Sequence, residues 1–253
     1  MNNFLSFTDA PGLMLENVSF SYSGMMLFSS LDFEIKGGQW TCLLGPSGCG
    51  KSTLLRLISG SLQEGFSGNI RFDGVKKTKG QTAWMAQKDL LLPWLTVLNN
   101  ILLGARLRGE VSEQRVEIAL SLLKEVGLGH CKNELPATLS GGMRQRVALV
   151  RTLMEERPVI LMDEPFSALD ALTRIKLQNL AAELVRGATV LLVTHDPLEA
   201  LRLGHRIFVM TGSPARLSPV MLPPGRPPRS LDNPAISAMH GGLLEQLVEG
   251  SIK

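Results

Sequence analysis

Apolar and polar residues alternate along the first third of the chain with the two-residue period of half-buried strands. From Leu15 to Tyr22, the residues Val18, Phe20 and Tyr22 fall on one side. Leu31, Phe33 and Ile35 repeat the pattern until Lys36-Gly37-Gly38 punctuates a turn. Trp40 to Leu44 is instead a continuous apolar run, as a fully buried strand requires. It runs into a glycine-rich loop, Gly45 to Gly50, and then a helix from Lys51 to Ile58 that Gly60 is placed to end. Asn69 to Phe72, followed by Asp73-Gly74, reads as strand and turn, and Thr82 to Ala86 as a short strand ending at Gln87.

The period changes to that of helices between Asp89 and Arg157. Ser112 is placed to cap a helix with Val116, Leu120, Leu123 and Val126 on its apolar side, closed by Gly127. A second helix begins near Ser140-Gly141-Gly142 and runs to Leu153. Strand character returns at Val159–Met162, Thr189–Val193 and Arg206–Met210, with helices at Thr173–Val185, stopped by Gly187, and Leu198–Leu203. Strands alternating with helices predict a largely parallel sheet covered on both faces. Seven of the fourteen prolines lie between Pro214 and Pro234, so this stretch reads as an irregular or extended tail before a short helix at Gly242–Val248. It suits either a spacer or a regulatory segment.

Composition narrows the class. An apolar share of 44% in 253 residues supports a full core and excludes a disordered chain. A net charge of +3 gives no argument for a nucleic-acid partner. No apolar run reaches the roughly 20 residues of a spanning helix. The start, Met1 to Gly12, lacks a basic segment and carries Asp9, which makes it a poor secretory leader. Cys42, Cys49 and Cys131 are widely spaced and read as reduced thiols without a metal.

Two constellations carry chemistry. Gly45-Pro46-Ser47-Gly48-Cys49-Gly50-Lys51-Ser52, followed by Thr53, fits G-x-x-x-x-G-K-[ST] between a strand and a helix. Its glycines let backbone N–H groups curl around phosphates, and the helix start adds partial positive charge. Lys51 can reach the terminal phosphates and Ser52 can bind Mg²⁺. Cys49 reads as a small filler of that loop. The strand at Val159–Met162 ends in Asp163 and Glu164, and ligands of open parallel sheets gather at such strand ends. Adjacent strand residues point apart, so Asp163 is suited to hold Mg²⁺ and Glu164 to orient or deprotonate the attacking water.

Leu139-Ser140-Gly141-Gly142-Met143-Arg144-Gln145-Arg146 places a capping hydroxyl and bare backbone N–H groups at another helix start. Taken alone it is an ordinary capped helix. With the other motifs, in this order from Leu15 to Met210, the chain resembles the ATP-binding subunit of an ABC transporter. Leu139-Ser140-Gly141-Gly142 is similar to that family's signature, with Met143 where Gln is usual. The resemblance implies that Tyr22 stacks on adenine and that Gln87 meets Mg²⁺ or the attacking water. It further implies that Asp170, in Ser167-Ala168-Leu169-Asp170, lies in the loop after the carboxylates, and that His195 senses the γ-phosphate. Lys51, Glu164, His195 and Gln87 would form the catalytic set. Ser140, Gly141 and Gly142 would cover the nucleotide held by the other copy in an ATP-bound homodimer.

The resemblance also implies the fold: an α/β P-loop NTPase core with a mostly parallel sheet, an N-terminal antiparallel β portion and a helical insertion. Residues 1–88 and 158–212 would be the nucleotide-binding core, 89–157 the helical signature subdomain and 213–253 the Pro-rich tail. The partners implied are multispanning permease subunits at the cytoplasmic face of the cell membrane and, indirectly, a solute-binding protein. The stretch Asp89–Leu95, apolar and carrying Trp94, is either core of the helical insertion or a groove for a permease helix. Leu91-Leu92-Pro93-Trp94, the run Met162–Asp170 and Thr194-His195-Asp196 resemble the nitrate, sulfonate, taurine and thiamine-precursor importers, and the signature ending Met143-Arg144-Gln145-Arg146 with the stretch Asp89–Trp94 resembles the hydroxymethylpyrimidine branch most. A soluble ABC-type ATPase with a nonmembrane target is the alternative.

Overall fold

The computed structural model of the chain describes residues 7–22, 24–75 and 80–251. Half of the Met1–Gly12 stretch, residues 1–6, lies outside the described residues. The centre is a six-stranded sheet in the order β5(Thr82–Met85), β6(Val159–Asp163), β7(Thr189–Thr194), β3(Trp40–Leu44), β8(Arg206–Thr211), β9(Arg216–Leu217). Its first five strands are mutually parallel, and β9 pairs antiparallel at one edge. A second sheet, antiparallel throughout, has β2(Met25–Ile35), β1(Leu13–Tyr22) and β4(Phe66–Phe72) in that order.

The continuous apolar runs reflect burial on both faces. Cys42, Leu44, Ile160, Met162, Val190 and Leu192 pack toward the helical side. Leu43, Val159, Leu161, Leu191 and Val193 pack toward β1, β2 and α1(Lys51–Ile58). Each strand thus divides its residues between two cores, which fixes its register.

The helical side contains α2(Val97–Ile101), α3(Leu103–Arg108), α4(Glu113–Glu125) and α5(Gly141–Leu153). Ser112 caps α4 by accepting from the Arg115 amide at 3.2 Å. The buried stripe of α4 is Ala119, Leu122 and Leu123, one position away from the expected Leu120. α6(Ala171–Leu184) and α7(Pro197–Leu203) complete the layer.

Two expectations are corrected. Tyr22 is not buried with Val18 and Phe20. It is the last residue of β1 and is 70% exposed. The tail is not loose. It ends in an 18-residue helix, α8(Pro234–Ser251), rather than a short one at Gly242–Val248. Ile236 and Leu243 of α8 enter the main core, and contact energy of that kind overrides the low helix propensity of Gly241 and Gly242. Ahead of α8, the buried Arg229 guanidinium donates to the carbonyls of Leu201, Gly204, Pro223, Pro224 and Gly225 at 2.7–3.0 Å. It thereby ties the proline stretch to the end of α7.

Candidate functional site

The carboxyl ends of β3, β5, β6 and β7 lie on one edge of the parallel sheet and deliver the Gly45–Gly50 loop, Gln87, Asp163–Glu164 and His195. A pocket there is lined by Leu27, Ser47, Gly48, Gly50, Lys51, Ser52, Thr53, Gln87, Asp163 and Glu164. The residue preceding α1 is Gly50, with a left-handed φ of 104° and no side-chain cap on the helix. That conformation suits glycine, and it leaves the first N–H groups of α1 uncommitted to any capping side chain. The Lys51 side chain is buried and folds back, its ammonium donating to the Gly45 and Pro46 carbonyls at 2.7 Å each. Cys49 is packed beneath the loop, 3.9 Å from the Lys51 ammonium. Burial pushes its thiol pKa up more than Lys51 draws it down, so it stays a thiol filler.

Asp163 is 4% exposed at the end of β6. Burial raises its carboxyl pKa, and a hydrogen bond from Ser52 and the charge of Lys51 work against that rise. Glu164 turns the chain with a φ of 49°, a left-handed conformation costing a non-glycine residue about 1 kcal/mol. Its amide bonds the Val193 carbonyl at 2.9 Å. Gln87 Nε2 donates to Glu164 Oε2 at 3.2 Å, and His195 Nδ1 lies 3.1 Å from Glu164 Oε1. Both oxygens of one carboxylate are therefore held, by side chains from the ends of two other strands. The His195 side chain itself is 61% exposed.

Other expected residues stand apart from this pocket. Ser140 caps α5, its hydroxyl accepting from the Met143 amide at 3.2 Å, and Gly141 and Gly142 come next at the helix start. None of the three lines the pocket around Lys51. Tyr22 projects from the end of β1 and does not line it either. Asp170 caps α6 by accepting from the Thr173 amide at 3.0 Å, which holds its carboxyl below the usual range.

Sequence reading passed over three buried polar groups. Asn100 clamps the Leu92–Thr96 loop through Leu92, Leu95 and Thr96 and so presents Trp94, 71% exposed, at the surface. Gln145 of α5 reaches the Glu164 carbonyl at 3.1 Å. Glu199 of α7 accepts from Gln178 at 3.1 Å behind the His195 loop, and burial pushes its pKa to about 7. Asn100 lies beside buried Val97 and Ile101, and Gln145 beside buried Ala148 and Leu149; a polar residue on an apolar stripe was the available signal. His205 is structural, its Nδ1 accepting from the Trp40 amide at 3.1 Å, with a pKa lowered by burial.

The ABC transporter family profile matches residues 28–167. An uncharacterized ABC transporter ATP-binding protein of Haemophilus influenzae is 45% identical over 92% of this chain and 97% of its own length. An aliphatic sulfonates import ATP-binding protein of Pseudomonas syringae is 39% identical over 92% of this chain and 94% of its own. A solved ATP-binding cassette, dimeric in a post-hydrolysis state with ADP and Pi, superimposes with a TM-score of 0.75 at 32% identity. It covers 84% of this chain and 99% of the cassette. Among the described residues no helix is long and apolar enough to cross a membrane. With the phosphate loop, the strand-end carboxylates and the capped glycine helix in one α/β fold, this chain belongs to the ABC transporter family as an ATP-binding, ATP-hydrolysing cassette.

Proposed function

We propose that two copies of this chain close over two ATP molecules and that closure and reopening drive solute import through a membrane permease. The observation that carries this reading is the separation of the two anion-binding helix starts. The Lys51 loop faces Asp163 and Glu164, whereas Ser140–Gly142 face none of them. A second copy would bring Ser140, Gly141 and Gly142 over the phosphates held by Gly45–Thr53, with Asp170 at the junction and Tyr22 against the adenine. The shared γ-phosphate charge then holds the copies together, and its removal releases them.

Within each half, Lys51 leaves its loop carbonyls for the terminal phosphates. Glu164 orients the attacking water and takes its proton, held by Gln87 and His195. The donors beside Lys51 are hydroxyl, carboxylate and amide oxygens, a hard set that fits Mg²⁺, and buried Asp163 gains from a nearby cation. Ser52, Asp163 and Gln87 would hold that ion, which supplies charge neutralisation at the β- and γ-phosphates. Residues 89–157 serve as the signature subdomain, with Leu90 and Trp94 as the exposed permease-docking surface. This puts the protein at the cytoplasmic face of the membrane.

For cargo, import relatives named for aliphatic sulfonates favour a sulfonate; the thiamine precursor rests on the Asp89–Trp94 and Met143–Arg146 resemblance alone. Glu164→Gln should bind ATP, sediment as a dimer with it, and turn over at about 1% of the wild-type rate or less. A monomer under those conditions refutes the shared-phosphate reading. A tagged chain should retain a multispanning protein from detergent-solubilised membranes; retention of a soluble target instead supports the nonmembrane alternative. Uptake of labelled sulfonate against hydroxymethylpyrimidine, with and without the chain, distinguishes the cargoes.

A further inference from the structure

Gln145 sits one turn inside α5 and is 6% exposed. Its amide nitrogen donates to the Glu164 carbonyl at 3.1 Å and lies 3.5 Å from the Ser167 hydroxyl. Its amide oxygen accepts from the Ala168 N–H at 2.9 Å. Ser167 Oγ donates to the same Glu164 carbonyl at 3.0 Å. One side chain from the helix that starts at Ser140–Gly142 therefore satisfies both ends of the turn after β6. The helix start also presses on that turn. A Cβ at Gly142 would lie 3.2 Å from the Ala168 carbonyl oxygen and 3.4 Å from Leu169 Cδ2. Glu164 needs such support, because its left-handed φ of 49° must be imposed by its surroundings.

We infer that Gln145 is a positioning residue of the ATPase site, holding the Glu164 backbone so that its carboxylate meets the pocket and tying that geometry to the Ser140–Gly142 end of α5. The inference rests on the reading of Glu164 as the residue that orients the attacking water. It extends that reading, because a displacement of the α5 start reaches the Glu164 turn through the Gln145 amide and the Gly142 contact with Ala168. Arg144, the neighbouring residue, bonds Asp89 at 3.0 Å, and Arg151 bonds the Leu90 carbonyl at 2.8 Å. The same helix is thus also joined to the stretch carrying Trp94.

The test compares Gln145→Met, which keeps length and removes both hydrogen-bonding ends, with Gln145→Glu, which keeps only the acceptor for Ala168. Turnover of Gln145→Met should fall roughly 10- to 100-fold, since misplacement of about 1 Å has effects of that size. Gln145→Glu should fall at least as far, because a carboxylate oxygen then faces the Glu164 carbonyl where the amide donor stood. ATP affinity, read with a fluorescent analogue, should stay near wild type because the Lys51 loop is untouched, while the thermal midpoint of Gln145→Met should drop by several degrees as the Ala168 N–H loses its acceptor. Wild-type turnover in a folded Gln145→Met overturns the inference, and so does a loss of turnover matched by loss of ATP binding. Should the variants fail to fold, hydrogen exchange on the unaltered chain decides. The Ala168 amide must be protected despite lying outside any helix or strand, and exchange at the free-loop rate overturns the proposal. Glu164→Gln assayed alongside separates the two readings. If it hydrolyses ATP normally, the water-orienting role fails; if it is inactive while Gln145→Met is not, only the Gln145 inference fails.

Discussion

The two glycine-bearing helix starts of this protein commit their groups differently. α1 comes after Gly50 without a side-chain cap, and its own first residue, Lys51, is a buried cation. α5 comes after Ser140, whose hydroxyl is taken by the Met143 amide. Arg144 is paired with the Asp89 carboxylate, and Arg146 reaches back to the Val126 and Gly142 carbonyls, whereas Lys51 bonds the Gly45 and Pro46 carbonyls of its own loop. So α1 brings N–H groups with no side-chain cap, a cation and neighbouring carboxylates to one pocket, while the start of α5 lines no such pocket and brings its backbone and helix dipole. A helix start with glycines is not one kind of site. The side chains left over after local capping decide whether it can do chemistry alone or only complete a site begun elsewhere.

Four substitutions sharpen this contrast. Lys51→Ala should have the largest effect, lowering kcat/KM for ATP about 1,000-fold in a steady-state ATPase assay, because in the proposed mechanism it removes both a charged phosphate contact and transition-state charge. If turnover survives, α1 is no more self-sufficient than α5.

Glu199→Gln probes the support behind the strand ends. The raised pKa of Glu199 means that the folded chain keeps a proton the unfolded chain has lost. Stability from this group is therefore present at low pH and falls as pH rises from the ordinary carboxylate range to about 7, by up to about 3 kcal/mol. Denaturation monitored from pH 4 to 8 should show that slope in the wild type and a flatter one in Glu199→Gln.

Ser140→Ala should cost about 1 kcal/mol of stability through the lost cap and lower turnover, yet leave ATP binding to a lone protomer unchanged. Impaired binding in the monomer would place α5 in the same half-site as α1. Trp94→Ala should shift stability by less than about 0.5 kcal/mol, since the ring is exposed. If Trp94 docks a permease as proposed, its effect shows in permease co-purification instead.

The α1 side of this contrast was the more legible in sequence. β3 and β6 are buried on both faces, so each reads as an unbroken apolar run, and the residues just past each run had to sit at the sheet edge. The Ser112 and Ser140 caps were equally visible, because capping is local. Long-range facts were not. Nothing near Tyr22 signals that β1 ends there, past the part of the sheet that the core covers. Seven prolines hid α8, whose stability comes from Ile236 and Leu243 reaching a core built mostly by the other elements. Gln145 and Asn100 looked like ordinary polar residues until the loops they hold were in place.

The Arg229 anchor bears on how this cassette could be recombined with its relatives. Five main-chain acceptors converge on one guanidinium, three from the proline stretch and two from the end of α7. α7 begins just after His195, so a graft that exchanged residues beyond Thr211 without supplying an equivalent arginine would strip donors from Leu201 and Gly204. Engineers swapping C-terminal segments should carry the arginine and its prolines across as one block, and cut on the far side of Ser230.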